Sequence, residues 1–133
     1  KYSFYIILGG IMNKKIYLLS LTALLVFSFL AMQFCTDNMY GEPNLTNGKD
    51  KYMNNCASCH GERGHGDGIV ATTLKVSPDN IYQELTNPFG FSYELINSVL
   101  NGDNGQEGLM PAFKGVLSEK DVNDIFGHVK SVN

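Results

Sequence analysis

The sequence predicts an all-α fold, a small helical bundle preceded by an N-terminal hydrophobic helix. Three observations carry this. No segment keeps the apolar–polar alternation of a half-buried strand. Apolar residues recur at helical spacing near the start and at the end of the polar body, as Gly48, Tyr52 and Cys56 and as Val122, Ile125 and Val129. Glycine-rich runs at residues 61–68 and 101–108 separate the periodic stretches and read as tight surface loops.

The first of the 133 residues is Lys1 and the first methionine is Met12, so residues 1–11 read as an upstream extension. Met12 to Lys15 is a short positive start. Residues 16–32 are an apolar run of 17 residues inside an uncharged stretch of 21, Ile16 to Thr36. This is signal-peptide architecture, long enough also to just span a bilayer. Three fates are open: cleavage after Ala31 or nearby, retention as a membrane anchor, or acylation at Cys35, which the bulky Phe34 disfavours. In each, Lys14 and Lys15 stay inside and the body is exported, either free in the periplasm or tethered facing it through residues 16–36. Residues 1–35 are thus extension plus signal or anchor, 36–46 a polar linker, and 47–133 the folded domain.

Charge divides the chain in the same place. Lys1 to Cys35 holds three lysines and no acid, whereas Thr36 to Asn133 holds 7 Lys/Arg against 13 Asp/Glu, or −6. An acidic body lacks the basic footprint of a nucleic-acid binder and suits basic partner surfaces. About a hundred residues bury only about 60–68% of their unfolded surface, a marginal core.

Within the domain, Asn47 is the expected cap of the first helix, which ends near Cys59. Residues 69–75 allow a helical turn. Ser77-Pro78-Asp79 turns the chain into a short helix at 80–85, and residues 86–91 break it. Ser92 to Leu100 is a well-patterned helix that Gly102 ends. Ser118 caps the last helix, with Asp121 at its third position.

The chemistry is concentrated in Cys56-Ala57-Ser58-Cys59-His60. A zinc site needs four ligands, usually as two pairs, and no second Cys or His pair exists: His65 and His128 stand alone. A redox dithiol usually follows a strand, and none precedes Cys56. Covalent haem attachment fits the order directly. Three residues make about one helical turn, so Cys56 and Cys59 share a side and can meet the two haem vinyls, while His60 turns its ring to the iron. A second ligand suited to electron transfer is soft and neutral. Met39 lies in the linker and Met53 on the Cys56 helix. Met110, in Gly108-Leu109-Met110-Pro111-Ala112-Phe113, follows a glycine loop and precedes a proline that stiffens it.

Carrying these residues, the body resembles the class I c-type cytochromes from about Asn47 to Val132. Gly48 and Tyr52 precede the Cys56–Gly61 motif at the family's offsets, residues 61–68 look like the loop after the haem motif, residues 108–113 like the distal Met-Pro loop, and residues 117–131 like the C-terminal helix. The resemblance implies a cytochrome c-like bundle around one covalently bound haem c. Cys56 and Cys59 would be the thioether positions, His60 the proximal and Met110 the distal iron ligand, and the first helix would cross the last at Gly48. It implies an electron carrier that meets redox partner proteins and catalyses nothing by itself. The rivals are a haem c subunit of a larger membrane respiratory complex and a haem enzyme or gas sensor with a labile sixth ligand. The chain departs from the family in two places. His128 stands where an aromatic is usual and should pack near Tyr52. Pro78, whose carbonyl would orient the imidazole, lies 18 residues past His60 beyond an insertion. His65 reads as an exposed loop residue. Arg63 reads equally as a partner for a haem propionate or as a solvated loop cation.

Overall fold

The structure is a computed structural model that describes residues 14–37, 39–90, 92–102 and 110–133. The upstream extension at 1–11, most of the second glycine-rich loop and the side chain of Cys35 lie outside the described residues. The chain forms two units, Lys1–Cys35 and Thr36–Asn133.

Helix α1, Lys14–Asp37, makes up the described part of the first unit and runs on to the first two residues of the second. Its residues 16–32 are exposed, and apolar apart from the Tyr17 phenol and three aliphatic hydroxyls. Each of the three bonds back to the helix itself: Ser20 Oγ to the Tyr17 carbonyl at 2.9 Å, Thr22 Oγ1 to that of Leu19 at 2.9 Å, and Ser28 Oγ to that of Leu24 at 2.8 Å. The helix surface therefore offers almost no unsatisfied polar group. The run 16–32 is about 26 Å long at 1.5 Å per residue, short of the about 30 Å of a bilayer core. Among the described residues no helix is long and apolar enough to cross a membrane.

The second unit is helical throughout its described regular structure. In chain order it holds α2 (Leu45–Asn55), α3 (Ala57–His60), a 3₁₀ turn (Ala71–Thr73), α4 (Ile81–Leu85), α5 (Ser92–Asn101) and α6 (Glu119–Ser131). An isolated bridge between Lys114 and Leu117 is the β-type pairing among the described residues. The all-α expectation holds, and each short helix stands where the turn residues placed it.

Helix α6 starts at the predicted capping box: the Asp121 N–H donates to Ser118 Oγ at 3.1 Å, and the Ser118 N–H donates to Asp121 Oδ2 at 2.9 Å. Helix α2 starts earlier than the sequence suggested. Its cap is Asn44, whose Oδ1 accepts from the Asn47 N–H at 3.1 Å. Asn47 is drawn instead into the helix crossing, where its Nδ2 donates to Asp121 Oδ1 at 3.1 Å and to Asp124 Oδ2 at 2.8 Å.

The two helices touch backbone to backbone at Gly48. A Cβ there would lie 2.0 Å from the Asp124 carbonyl oxygen. This contact seats the core of Tyr52, Ile96, Leu117, Val122, Ile125, Phe126 and Val129. Val122 and Val129 are fully buried, each contributing about 1.5–3 kcal/mol by leaving water. Asp124 is only 3% exposed. Its charge is met by Lys120, by Asn47 and by the Asn44 N–H at 2.8 Å.

The other face of α6 holds an extended strap at residues 41–44. Asn123 Nδ2 donates to the Gly41 carbonyl at 3.0 Å and Lys120 Nζ to the Glu42 carbonyl at 3.1 Å. Pro43 lies against Gly127, 2.3 Å from where a Cβ would sit.

The crossing and its carboxylates are each open to test. Gly48→Ala forces the α2–α6 crossing apart, and overpacking of this kind costs about 1–3 kcal/mol or more; urea unfolding of the variant should show it, and an unchanged midpoint would contradict the contact. Asp121 is held below the ordinary carboxylate range by the Ser118 N–H and then by Asn47 and the Ser118 hydroxyl. Asp124 is raised by burial but brought lower overall by Lys120, Asn47 and the Asn44 N–H. Both carboxyls bind protons more weakly folded than unfolded. Their contribution is therefore full above about pH 4, the unfolded carboxylate range, and is lost on further acidification. Urea midpoints should fall between about pH 5 and about pH 3, and Asp121→Asn should flatten that slope.

Candidate functional site

The site begins where α2 ends. The Cys56 N–H still donates to the Tyr52 carbonyl at 2.8 Å, but Cys56 leaves helical geometry (φ −120°, ψ −40°) and starts the single turn α3. The N–H groups of Cys59 and His60 both close on the Cys56 carbonyl, at 3.1 and 2.9 Å. This turn gathers the two thiols and the imidazole on one wall of a cavity of about 360 Å³. Met110, fifty positions beyond His60, lines the same cavity, and Ile125 and Phe126 of α6 line it too. The volume falls in the range of ligand pockets, about 300–1,000 Å³.

The other methionines and histidines lie elsewhere. Met39 and Met53 are 61% and 45% exposed. His128 is buried with its ring 5.7 Å from that of Tyr52, as expected. Burial, and then the charge of Lys49, holds its pKa low, so it packs as a neutral ring. His65 is exposed and meets Tyr82 edge to face at 6.1 Å. Arg63 is exposed in the loop, as one of its two expected readings has it. Its Nε donates to the Val132 carbonyl at 3.0 Å, and its own carbonyl accepts from Asn133 Nδ2 at 2.8 Å, which ties the loop to the C-terminus.

His60 is fixed by two bonds besides its own helix turn. Its carbonyl accepts from the Gly66 N–H at 2.9 Å, and its Nδ1 lies 2.9 Å from the Asp79 carbonyl oxygen. A carbonyl acceptor makes Nδ1 the protonated nitrogen and leaves Nε2 as a free donor atom. The sequence pointed to the carbonyl of Pro78. The acceptor is the next residue along, because the Pro78 carbonyl is packed against Gly66, 2.4 Å from where a Cβ would sit. A backbone acceptor carries no side-chain signature, so only the position of the proline hinted at it.

The Met110 segment hangs on the end of α5. The Phe113 N–H donates to the Val99 carbonyl at 3.2 Å and the Lys114 N–H to the Leu100 carbonyl at 2.9 Å, which satisfies two terminal helix acceptors. Gly102 adopts φ +74° and presses on this segment: a Cβ would lie 2.8 Å from the Ala112 nitrogen and 3.0 Å from the Met110 carbonyl. Neither a side chain nor another conformation fits there.

Burial, followed by the neighbouring Cys59, pushes the Cys56 thiol up to about 12. A thiol so reluctant to ionise is a poor redox nucleophile. Two free thiols, an imidazole with its far nitrogen available and a thioether around one mainly apolar cavity are instead groups that suit a covalently bound haem.

Comparison with known proteins agrees. Residues 43–129 match the family model described as cytochrome C oxidase, cbb3-type, subunit III. The chain is 34% identical over 89 residues to cytochrome c6 of Parathermosynechococcus lividus, covering 65% of this chain and 87% of that protein. It is 30% identical over 89 residues to cytochrome c6 of Petalonia fascia, covering 66% and 92%. Among solved structures it is similar to a chain of the reducing HAO-like protein complex of Kuenenia stuttgartiensis, with TM-score 0.56 and 24% identity over 68% of this chain. It spans 42% of that chain, and the likeness is one of fold.

Tyr52 links this site to the core. Its hydroxyl donates to the Gly61 carbonyl at 2.5 Å, inside a fully buried setting. Tyr52→Phe removes this bond and leaves the carbonyl only the long 3.4 Å bond from the Gly64 N–H, which costs about 0.5–1.5 kcal/mol. Thermal unfolding of the variant measures it, and wild-type stability would show that the bond contributes nothing.

Proposed function

The chain belongs to the cytochrome c family, as a class I monohaem c-type cytochrome with one covalently attached haem c, and on that premise we propose that it carries single electrons between redox partner proteins outside the cytoplasm, with iron held by His60 and Met110. The observation that supports this best is the meeting of Cys56, Cys59, His60 and Met110 around one cavity. The haem supplies a one-electron iron couple when bound. Everything else is the work of the chain. Cys56 and Cys59 retain the group through thioether bonds. His60 offers Nε2 because the Asp79 carbonyl holds the proton on Nδ1. Met110 offers a soft sulfur, which raises the potential relative to harder ligands. Its segment is pinned to α5 and backed by Pro111, so a weak iron–sulfur bond is not strained by a loose loop. With His60 and Met110 both holding the iron, the domain would serve as an electron carrier.

The acidic body fits partners with basic surfaces. The positive start and apolar run of the N-terminal segment support export by way of a cleaved signal, and at about 26 Å the run is short for an anchor. A second reading, a haem c subunit of a larger membrane complex, is favoured by the match to a subunit family over residues 43–129. Purification from membranes in mild detergent separates the two: a carrier comes alone, a subunit with its complex.

Visible spectra test the ligands. The wild-type protein should be low-spin in both oxidation states, show the long-wavelength sulfur-to-iron band when oxidised, and ignore carbon monoxide. Met110→Ala should lose that band and bind carbon monoxide readily. Gly102→Ala should give the same phenotype in part, because it moves the Met110 segment without touching the ligand. A wild-type protein that binds carbon monoxide as readily as the Met110→Ala variant would overturn the distal assignment.

A further inference from the structure

The Asp79 carbonyl, which fixes the His60 imidazole, sits just before α4, a helix of five residues with no buried residue of its own. A helix that short does not hold itself. Asn80 caps it, its Oδ1 accepting from the Gln83 N–H at 3.0 Å, and the first helical bond runs from the Glu84 N–H to the Asn80 carbonyl at 3.1 Å. The Asp79 carbonyl is thereby left for the imidazole. Its aim depends on whatever docks α4.

On the core side these are Ile81, Tyr82 and Leu85, all partly buried against the hydrophobic cluster. On the other side it is the loop after the Cys–His motif. The Tyr82 N–H donates to the Gly64 carbonyl at 3.3 Å, and the Tyr82 ring meets His65 edge to face, ring centroids 6.1 Å apart with planes at 90°. The same loop is bonded to the carbonyl of His60 through the Gly66 N–H. The contacts form a closed circuit. It runs from His60 along the loop to His65, across to Tyr82, back along the α4 entry to Asp79, and through its carbonyl to His60 Nδ1.

We propose that His65 and Tyr82 are a positioning pair that holds the Asp79 carbonyl on the His60 imidazole and so sets how readily the haem iron accepts an electron. This rests on His60 as the proximal ligand. A carbonyl on Nδ1–H makes the imidazole a more basic ligand, which favours oxidised iron. Loosening α4 weakens that bond and shifts the balance towards reduced iron. The core contacts seat α4 and the Tyr82–Gly64 backbone bond joins it to the loop at 3.3 Å, and two flat rings at right angles add a constraint on tilt between loop and helix. The ring contact does not use the Tyr82 hydroxyl, so Tyr82→Phe preserves the device.

The test uses the full haem-loaded protein and the variants Tyr82→Ala, His65→Ala and Tyr82→Phe. Three quantities are measured: the midpoint potential, solvent exchange of the His60 Nδ1 proton by NMR in the reduced state, and the urea midpoint. Tyr82→Ala and His65→Ala should each raise the reduced-to-oxidised ratio at a fixed ambient potential by up to about tenfold, or about 59 mV for one electron, and speed the proton's exchange. Tyr82→Phe should match wild type in both. His65 is exposed, so its replacement leaves the fold intact even if Tyr82→Ala does not. Unchanged potential and exchange in His65→Ala, whatever the urea midpoint, would overturn the proposal and leave the rings a purely structural contact. His60→Ala serves as the separate control, since a wild-type spectrum there would overturn the ligand assignment beneath it.

Discussion

The contact between the Gly48 backbone and the Asp124 carbonyl is the constraint on which the rest depends. Two helices that touch through backbone must cross at a fixed point, because no side chain lies between them to adjust. Helical geometry then sets the path of the chain away from that point. One turn after Gly48, Tyr52 is driven into the core. One turn later Cys56 faces the cavity, and the chain leaves the helix there to place Cys59 and His60. On α6 the residues after Asp124, Ile125 and Phe126, become a wall of the same cavity. The cofactor site is thus a consequence of the crossing, reached along both helices from one contact.

Polar groups make the crossing specific. Asp124 is buried, and a buried carboxylate is costly unless fully met. Lys120, Asn47 and the Asn44 N–H meet it. Each comes from a different place: the same helix, the facing helix and the residue that caps the facing helix. A slip of α2 by one turn would break two of these bonds at once.

How much of the fold and site is legible in the sequence depends on how local each interaction is. Ser118 with Asp121 is a capping box complete within four residues, and α6 begins there. The Cys56–His60 order is a local chemical statement, and the fold brings it to one cavity with Met110. The sequence put the cap of α2 at Asn47, but Asn44 takes it, because Asp121 and Asp124, over seventy residues away, draw Asn47 into the helix crossing. The Asp79 carbonyl was hidden because any residue has a carbonyl, and only the packing of Pro78 on Gly66 selects it. Residues 36–46 read as a linker because their composition is polar with Gly and Pro. A set of side chains on α6 that reach backbone carbonyls holds 41–44 in place, and composition does not record it.

That strap gives α6 two working faces. Lys120, Asn123, Asp124 and Gly127 recur at helical spacing and hold residues 41–44, while Val122, Ile125 and Val129 recur on the opposite side and enter the core. The chain therefore enters the domain along the side of α6 turned away from the cavity wall formed by Ile125 and Phe126. Asp124 is the one residue common to both faces: its carboxylate holds the strap and the α2 cap, and its carbonyl is the surface on which Gly48 rests. Through this one residue the strap, the α2 cap and the helix crossing are tied together.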